Sequence, residues 1–229
     1  MKKRNILLWP AAALLGMASL SAQALPVNLF EYDVNVDGTP AYITWGDPVP
    51  SNVNVSAFND VTGLGTITAT FSGAGAHSFD AYFDHDLGNM YKDNETGAVI
   101  GSASVGQSYE IDDPFGGDIF PNFDASALDN MNAALVQMDV AMAMGWDFTL
   151  AANEVADIVL QITDALPTTS NLILAQHNGP TQIDIYLTGS LNISTVPGND
   201  TGKVPEPSML FLMSAGLFGM VASRRRKNA

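Results

Sequence analysis

The amino-acid sequence predicts an all-β protein: an antiparallel β-sandwich of about nine short strands with one short helix, followed by a C-terminal transmembrane helix. Three observations carry this. Apolar and polar residues alternate with a period of two along most of the chain, Gly/Pro/Asn/Asp clusters interrupt that alternation, and a charge-free apolar run stands near the C-terminus.

The alternation is clearest where Val140, Met142, Met144, Trp146, Phe148 and Leu150 interleave with Asp139, Ala141, Ala143, Gly145, Asp147 and Thr149. Ile183, Ile185, Leu187, Leu191 and Ile193 interleave in the same way with Asp184, Tyr186, Thr188, Ser190, Asn192 and Ser194. Phe79, Ala81 and Phe83 share one face, with Asp80, Tyr82 and Asp84 on the other. Ile158–Ile162 and, more weakly, Ile67–Phe71 repeat the pattern. Such alternation belongs to strands with one face in a core and one in solvent. It places Trp146 in the core and Tyr82 on the polar face; Trp45 also reads as core. Segments Phe30–Val36, Tyr42–Trp45, Ser102–Ile111 and Leu172–Ala175 complete the set of strands. Asp37-Gly38, Gly73-Ala74-Gly75, Pro114-Phe115-Gly116-Gly117, Pro167-Thr168-Thr169 and Asn178-Gly179-Pro180 supply turn residues between strands. Asp124–Gln137 departs from the pattern: Leu128, Met131, Leu135 and Val136 have helical spacing, so a short helix is expected there.

Both ends of the chain carry addressing features. Lys2, Lys3 and Arg4 precede an apolar stretch ending at Leu20, and Ala22-Gln23-Ala24 follows. That is the order of a secretory signal peptide over residues 1–24, with the mature chain starting at Leu25. The domain then covers residues 25–193, a linker 194–203, and a C-terminal segment 204–229. The apolar run Ser208–Ala222 spans about 22 Å as a helix against a hydrocarbon core of about 30 Å, so it crosses only by starting at Pro207 and ending near Arg224. Arg224, Arg225, Arg226 and Lys227 then form the cytoplasmic membrane stop.

With these ends set aside, residues 25–204 hold 23 acidic residues and two lysines, Lys92 and Lys203, a net of −21. Such a surface repels phosphate, which excludes nucleic-acid partners. Cysteine is absent, which removes thiolate catalysis and Cys-ligated zinc. His77, His85 and His177 follow no zinc spacing, and Ser102-Ala103-Ser104-Val105-Gly106 lacks the first glycine of a nucleophile elbow. The sequence therefore reads as non-enzymatic, with a secreted hydrolase the weakest of three alternatives. Carboxylates are calcium's ligands, so Asp84, Asp86, Asp112 and Asp113 are the candidate metal residues of a calcium-dependent polysaccharide-binding module, the second alternative. Tyr82 beside Asp80 and Asp84 could stack a sugar on such a surface. Asp33-Val34-Asn35-Val36-Asp37-Gly38 matches half an EF-hand loop but has Thr44 where the bidentate Glu belongs; a strand running into an Asp-Gly turn fits it better.

Val204-Pro205-Glu206-Pro207-Ser208, an apolar run and an Arg-rich end together resemble the PEP-CTERM sorting signal of Gram-negative bacteria. The resemblance implies that an exosortase-type membrane protease recognises Pro205, Glu206 and Pro207 and removes the helix. It also implies export through the inner membrane, transient anchoring with a periplasmic domain, and a cell-surface or extracellular role linked to exopolysaccharide and biofilm. Phe83-Asp84-His85-Asp86, Tyr109–Pro114 and Met142–Phe148 resemble a β-rich passenger domain that recurs in such proteins, which implies a fold and no chemistry.

Overall fold

The computed structural model of the protein describes residues 27–88 and 94–196. The signal peptide and the C-terminal helix expected from the sequence lie outside these residues. Among the described residues no helix is long and apolar enough to cross a membrane.

Eleven strands form two antiparallel sheets. The first sheet has the order β2 (Thr39–Ala41), β1 (Val27–Val36), β5 (Gly75–Leu87), β8 (Ala141–Leu150) and β7 (Gln107–Asp112). The second has the order β3 (Val53–Asn59), β4 (Leu64–Ser72), β9 (Glu154–Thr163), β11 (Ile183–Thr195), β10 (Leu172–Asn178) and β6 (Glu95–Gly101). The alternating residues meet between the sheets. Val34, Phe79, Phe83, Met142, Met144 and Trp146 of the first pack with Ile67, Phe71, Ile158, Leu160, Leu174 and Leu187 of the second. The β1–β2 turn is made by Asp37 and Gly38 at φ 52° and 73°, the left-handed pair that a two-residue hairpin requires, so this stretch is a strand and turn.

Three expectations are corrected. Tyr42–Trp45 is not a strand: Ile43–Trp45 forms a 3-10 turn, and Trp45 is 70% exposed, so it is no core residue. Its indole N–H donates to Glu31 at the surface. The Asp124–Gln137 helix is absent. The helix is α1 (Ile119–Asp124), with Pro121 in its first turn where a missing N–H costs nothing. After it, Ser126 and Asn130 take φ of 51° and 63°, and the chain runs extended. Its backbone groups bond Tyr109 and Ile111 of β7, then Gly97 and Glu95 of β6. The segment thus laces an edge of one sheet to an edge of the other, and edge pairing wins over helical spacing. Met131, Leu135 and Val136 are accordingly exposed.

The third correction concerns the polar face of the first sheet. Tyr82 is fully buried, as are Asp80 and Asp84, because α1 and the segment after it lie across this face. Tyr82, Ile119, Phe123, Leu128, Ala141 and Ala143 form a second, smaller core there. The Ala/Met alternation of β8 has its reason in this arrangement. The methionines fill the space between sheets, and the alanines leave room for a helix on the other side.

Candidate functional site

The layer between the first sheet and its cover is rich in carboxylates. Eight are buried among the described residues: Glu31, Asp33, Asp80, Asp84, Glu95, Glu110, Asp112 and Asp139. Between residues 27 and 196 the sequence offers one lysine and no arginine to oppose them, and that lysine, Lys92, lies outside the described residues. Burying a carboxylate without a partner costs several kcal/mol, and the usual relief is a proton or a bound cation. Burial, with Glu31 alongside, pushes Asp33 up to about 7. Burial likewise raises Asp80 to about 7 against the hydroxyl of Ser126, which donates to it. Glu110 rises to about 7 by burial, although the Asn122 amide donates to both its oxygens at 3.1 Å. Glu95, which accepts the Leu87 N–H at 2.8 Å and the Gln176 amide at 2.6 Å, rises to about 7 for the same reason.

The four metal candidates read from the sequence fall at separate points of this layer. Asp84 faces the cover from β5, opposite Ala141, and Ala141 is in turn opposite Asp112 of β7. Two strand spacings therefore separate Asp84 from Asp112, roughly 10 Å. Asp86 is half-buried two residues further along β5. Asp112 accepts the N–H of Asp113 at 2.8 Å and that of Asp118 at 3.0 Å, and Asp113 accepts those of Phe115 and Gly116, both at 2.8 Å. These two aspartates hold the turn that launches α1. Among the described residues, the group whose acidic ligand atoms lie within 4.8 Å of one another is Glu110, Asp112 and Asp118. Two of these were missed in the sequence. Asp118 enters through the turn that Asp112 closes, and Glu110 differs from Asp112 only by the period of two that puts both on one face.

The histidines are paired with carboxylates and carbonyls. His77 bridges Asp37 at 3.1 Å and the Gly73 carbonyl at 3.2 Å, and His177 bonds Asp184. His85 is fully buried with Nε2 at 3.3 Å from the Gly63 carbonyl, and burial lowers it to about 4, so its ring is neutral.

A cleft of about 390 Å³ opens where β11 runs past the start of β10. Gln161, Asn171, Thr169 and Ser190 line it over the edge of Trp146, and none of its lining residues is charged. In a chain of net charge −15 this is a distinct patch.

Fold and layer together define an acidic, two-sheet β domain without a recognisable catalytic constellation among the described residues. The segment that follows it matches the model of the PEP-CTERM protein-sorting motif over residues 203–227, which include Pro205-Glu206-Pro207, the apolar run and Arg224–Lys227. That motif marks an exported chain whose C-terminal segment anchors it in the membrane until an exosortase, a membrane protease, processes it. Comparison of the chain with curated proteins and with solved structures returns no match.

Proposed function

We propose that the protein is a non-enzymatic component of the cell surface or extracellular matrix, delivered by exosortase processing and associated with exopolysaccharide and biofilm. The observation that carries this reading is the sorting motif at residues 203–227, placed directly after an acidic β domain. A short apolar run holds the precursor in the inner membrane, and the Pro-Glu-Pro segment, which cannot continue a helix, stays extended for the protease. The domain then leaves the periplasmic face for the surface, where its negative charge keeps it soluble.

Replacing Pro205, Glu206 and Pro207 by Ala tests this. The apolar run is untouched, so the variant still inserts, but it should accumulate as unprocessed precursor in the membrane fraction of a host carrying its exosortase. Replacing Arg224 to Lys227 by neutral residues should instead weaken retention, because the cytoplasmic charge stop is gone. Equal processing of wild type and the Pro-Glu-Pro variant would leave an ordinary anchor.

The uncharged cleft favours a second reading, a saccharide-binding module. The side chains of Gln161, Thr169, Asn171 and Ser190 make no hydrogen bond of their own within the described residues, which leaves them for ligand hydroxyls. An array of neutral and acidic glycans, probed with and without calcium, decides between a binding module and a purely structural role.

A further inference from the structure

The carboxylates under the cover are not evenly spread. β1 and β5 are paired with Glu31 opposite Asp84 and Asp33 opposite Tyr82. All four point to the same face of the sheet, and directly opposed side chains have Cβ atoms about 5 Å apart. All four are buried, Asp33, Tyr82 and Asp84 completely. Like charges so placed on neighbouring strands repel, and here water is excluded by α1 and the lacing segment.

The block also contains polar atoms with nothing to bond. Asp33 accepts the Thr44 N–H through one oxygen at 3.4 Å, and its other oxygen has no hydrogen-bond partner. The Tyr82 hydroxyl has none either, although its ring is held by Phe120 and Phe123 so that the hydroxyl sits among Glu31, Asp33, Asp84 and Asp139. A proton shared between Glu31 and Asp33 neutralises one charge and leaves both of these atoms unsatisfied. The nearby Glu110–Asp112–Asp118 group differs: the oxygens of Glu110 and Asp112 already accept the Asn122 amide and the backbone N–H groups of Asp113, Asp118 and Asp129.

We propose that Glu31, Asp33 and Asp84 hold one divalent cation beneath the cover of the five-stranded sheet, with the Tyr82 hydroxyl donating to a water on the ion. An all-oxygen, carboxylate-rich set on a flexible side-chain framework suits calcium, whereas magnesium demands a near-ideal octahedron and keeps its waters. The cation supplies the charge that the sequence lacks between residues 27 and 196. The inference concerns the β domain alone and does not depend on how the tail is processed.

The test is calcium chloride titrated into the full chain after chelation, followed by calorimetry and by thermal unfolding. One ion per chain is expected, with a melting temperature that rises with calcium concentration because only the folded form has the site. Magnesium should give a much smaller rise. Asp33→Asn should weaken calcium binding by about 100-fold or more, while melting at or above the wild-type temperature in chelator, since it removes the opposed charge. Asp112→Asn should leave binding unchanged. Should Asp33→Asn not fold, Glu31→Gln is judged by the same criterion. Absence of binding by the wild type, wild-type affinity in the Asp33 or Glu31 variant, or loss of binding confined to Asp112→Asn would each overturn the proposal.

Discussion

Asp80→Asn removes a single negative charge from the buried layer and keeps the shape of the side chain. Asp80 sits on β5, 3% exposed, accepting the Ser126 hydroxyl through one oxygen while the other lies over Gly145, where even a Cβ would come within 1.8 Å of it. Burial holds its pKa at about 7. Because the folded value lies above the unfolded one, the native state binds the extra proton. The associated stability is complete below about pH 4 and is lost as the pH rises through 7. Between pH 5 and pH 8 that loss covers about two pH units at 1.36 kcal/mol each, or roughly 2–3 kcal/mol for this group. Asparagine cannot ionise and does not suffer it. Urea unfolding of residues 25–203 at both pH values, for wild type and variant, gives a double difference that separates ionisation from changed packing or hydrogen bonding. The variant's stability should fall less between pH 5 and pH 8 by this amount. The wild type, with Asp33, Glu95 and Glu110 raised for the same reason, should be more stable at pH 5 than at pH 8. A variant with the wild-type pH slope would refute the reasoning, as would a wild type that gains stability toward pH 8.

Trp146→Ala should cost about 3–5 kcal/mol in urea unfolding, since the ring is 2% exposed between the sheets; a loss near zero would place it outside the core. Gly189→Ala should cost about 1–3 kcal/mol, because a Cβ there meets Trp146 at 2.4 Å, Leu160 at 2.9 Å and Met144 at 3.1 Å with little room to yield. Phe123→Ala should cost about 3–5 kcal/mol and speed hydrogen exchange around Tyr82 while leaving Leu160 and Leu187 protected; uniform loss of protection would mean the two cores are one. N-terminal sequencing of the exported protein should begin at Leu25, and a retained Met1–Ala24 segment would defeat the export argument.

What the sequence disclosed followed from what a period of two can encode. It distinguishes the two faces of a strand but does not say that the polar face is wet. Asp80, Tyr82 and Asp84 look like a solvent face because cover arrives from residues 113–139, far away in the chain. A hint was present in Ala141, Ala143 and Gly145: small residues repeated on one face leave room for something to lie on it. The helix that lies there has six residues, too short for any periodicity to register, and the stretch with helical spacing pairs with strand edges instead. Strands β3 and β6 escaped notice for a related reason. β3 is interrupted by an irregularity between Asn54 and Ala57, and β6 buries Glu95 where an apolar residue would have announced it. The calcium residues suggested by adjacency in sequence lie apart, while Glu31 and Asp84, more than fifty positions distant, are opposed by register.

The last strand also determines how the domain bears tension. β11 leads directly toward the sorting segment, and it lies inside its sheet, paired with β9 from Tyr186 through Thr195 and with β10 from Ile183 through Thr188. A pull on the C-terminal segment enters at Thr195 along the strand axis. The backbone hydrogen bonds on both flanks then resist by sliding together, whereas a tail leaving from an edge strand such as β3 or β6 would let them open one after another. While its C-terminal segment is held in the membrane, the domain is thus gripped by one of its mechanically strongest handles. Force sufficient to extract it acts on the anchor before it unravels the sheet.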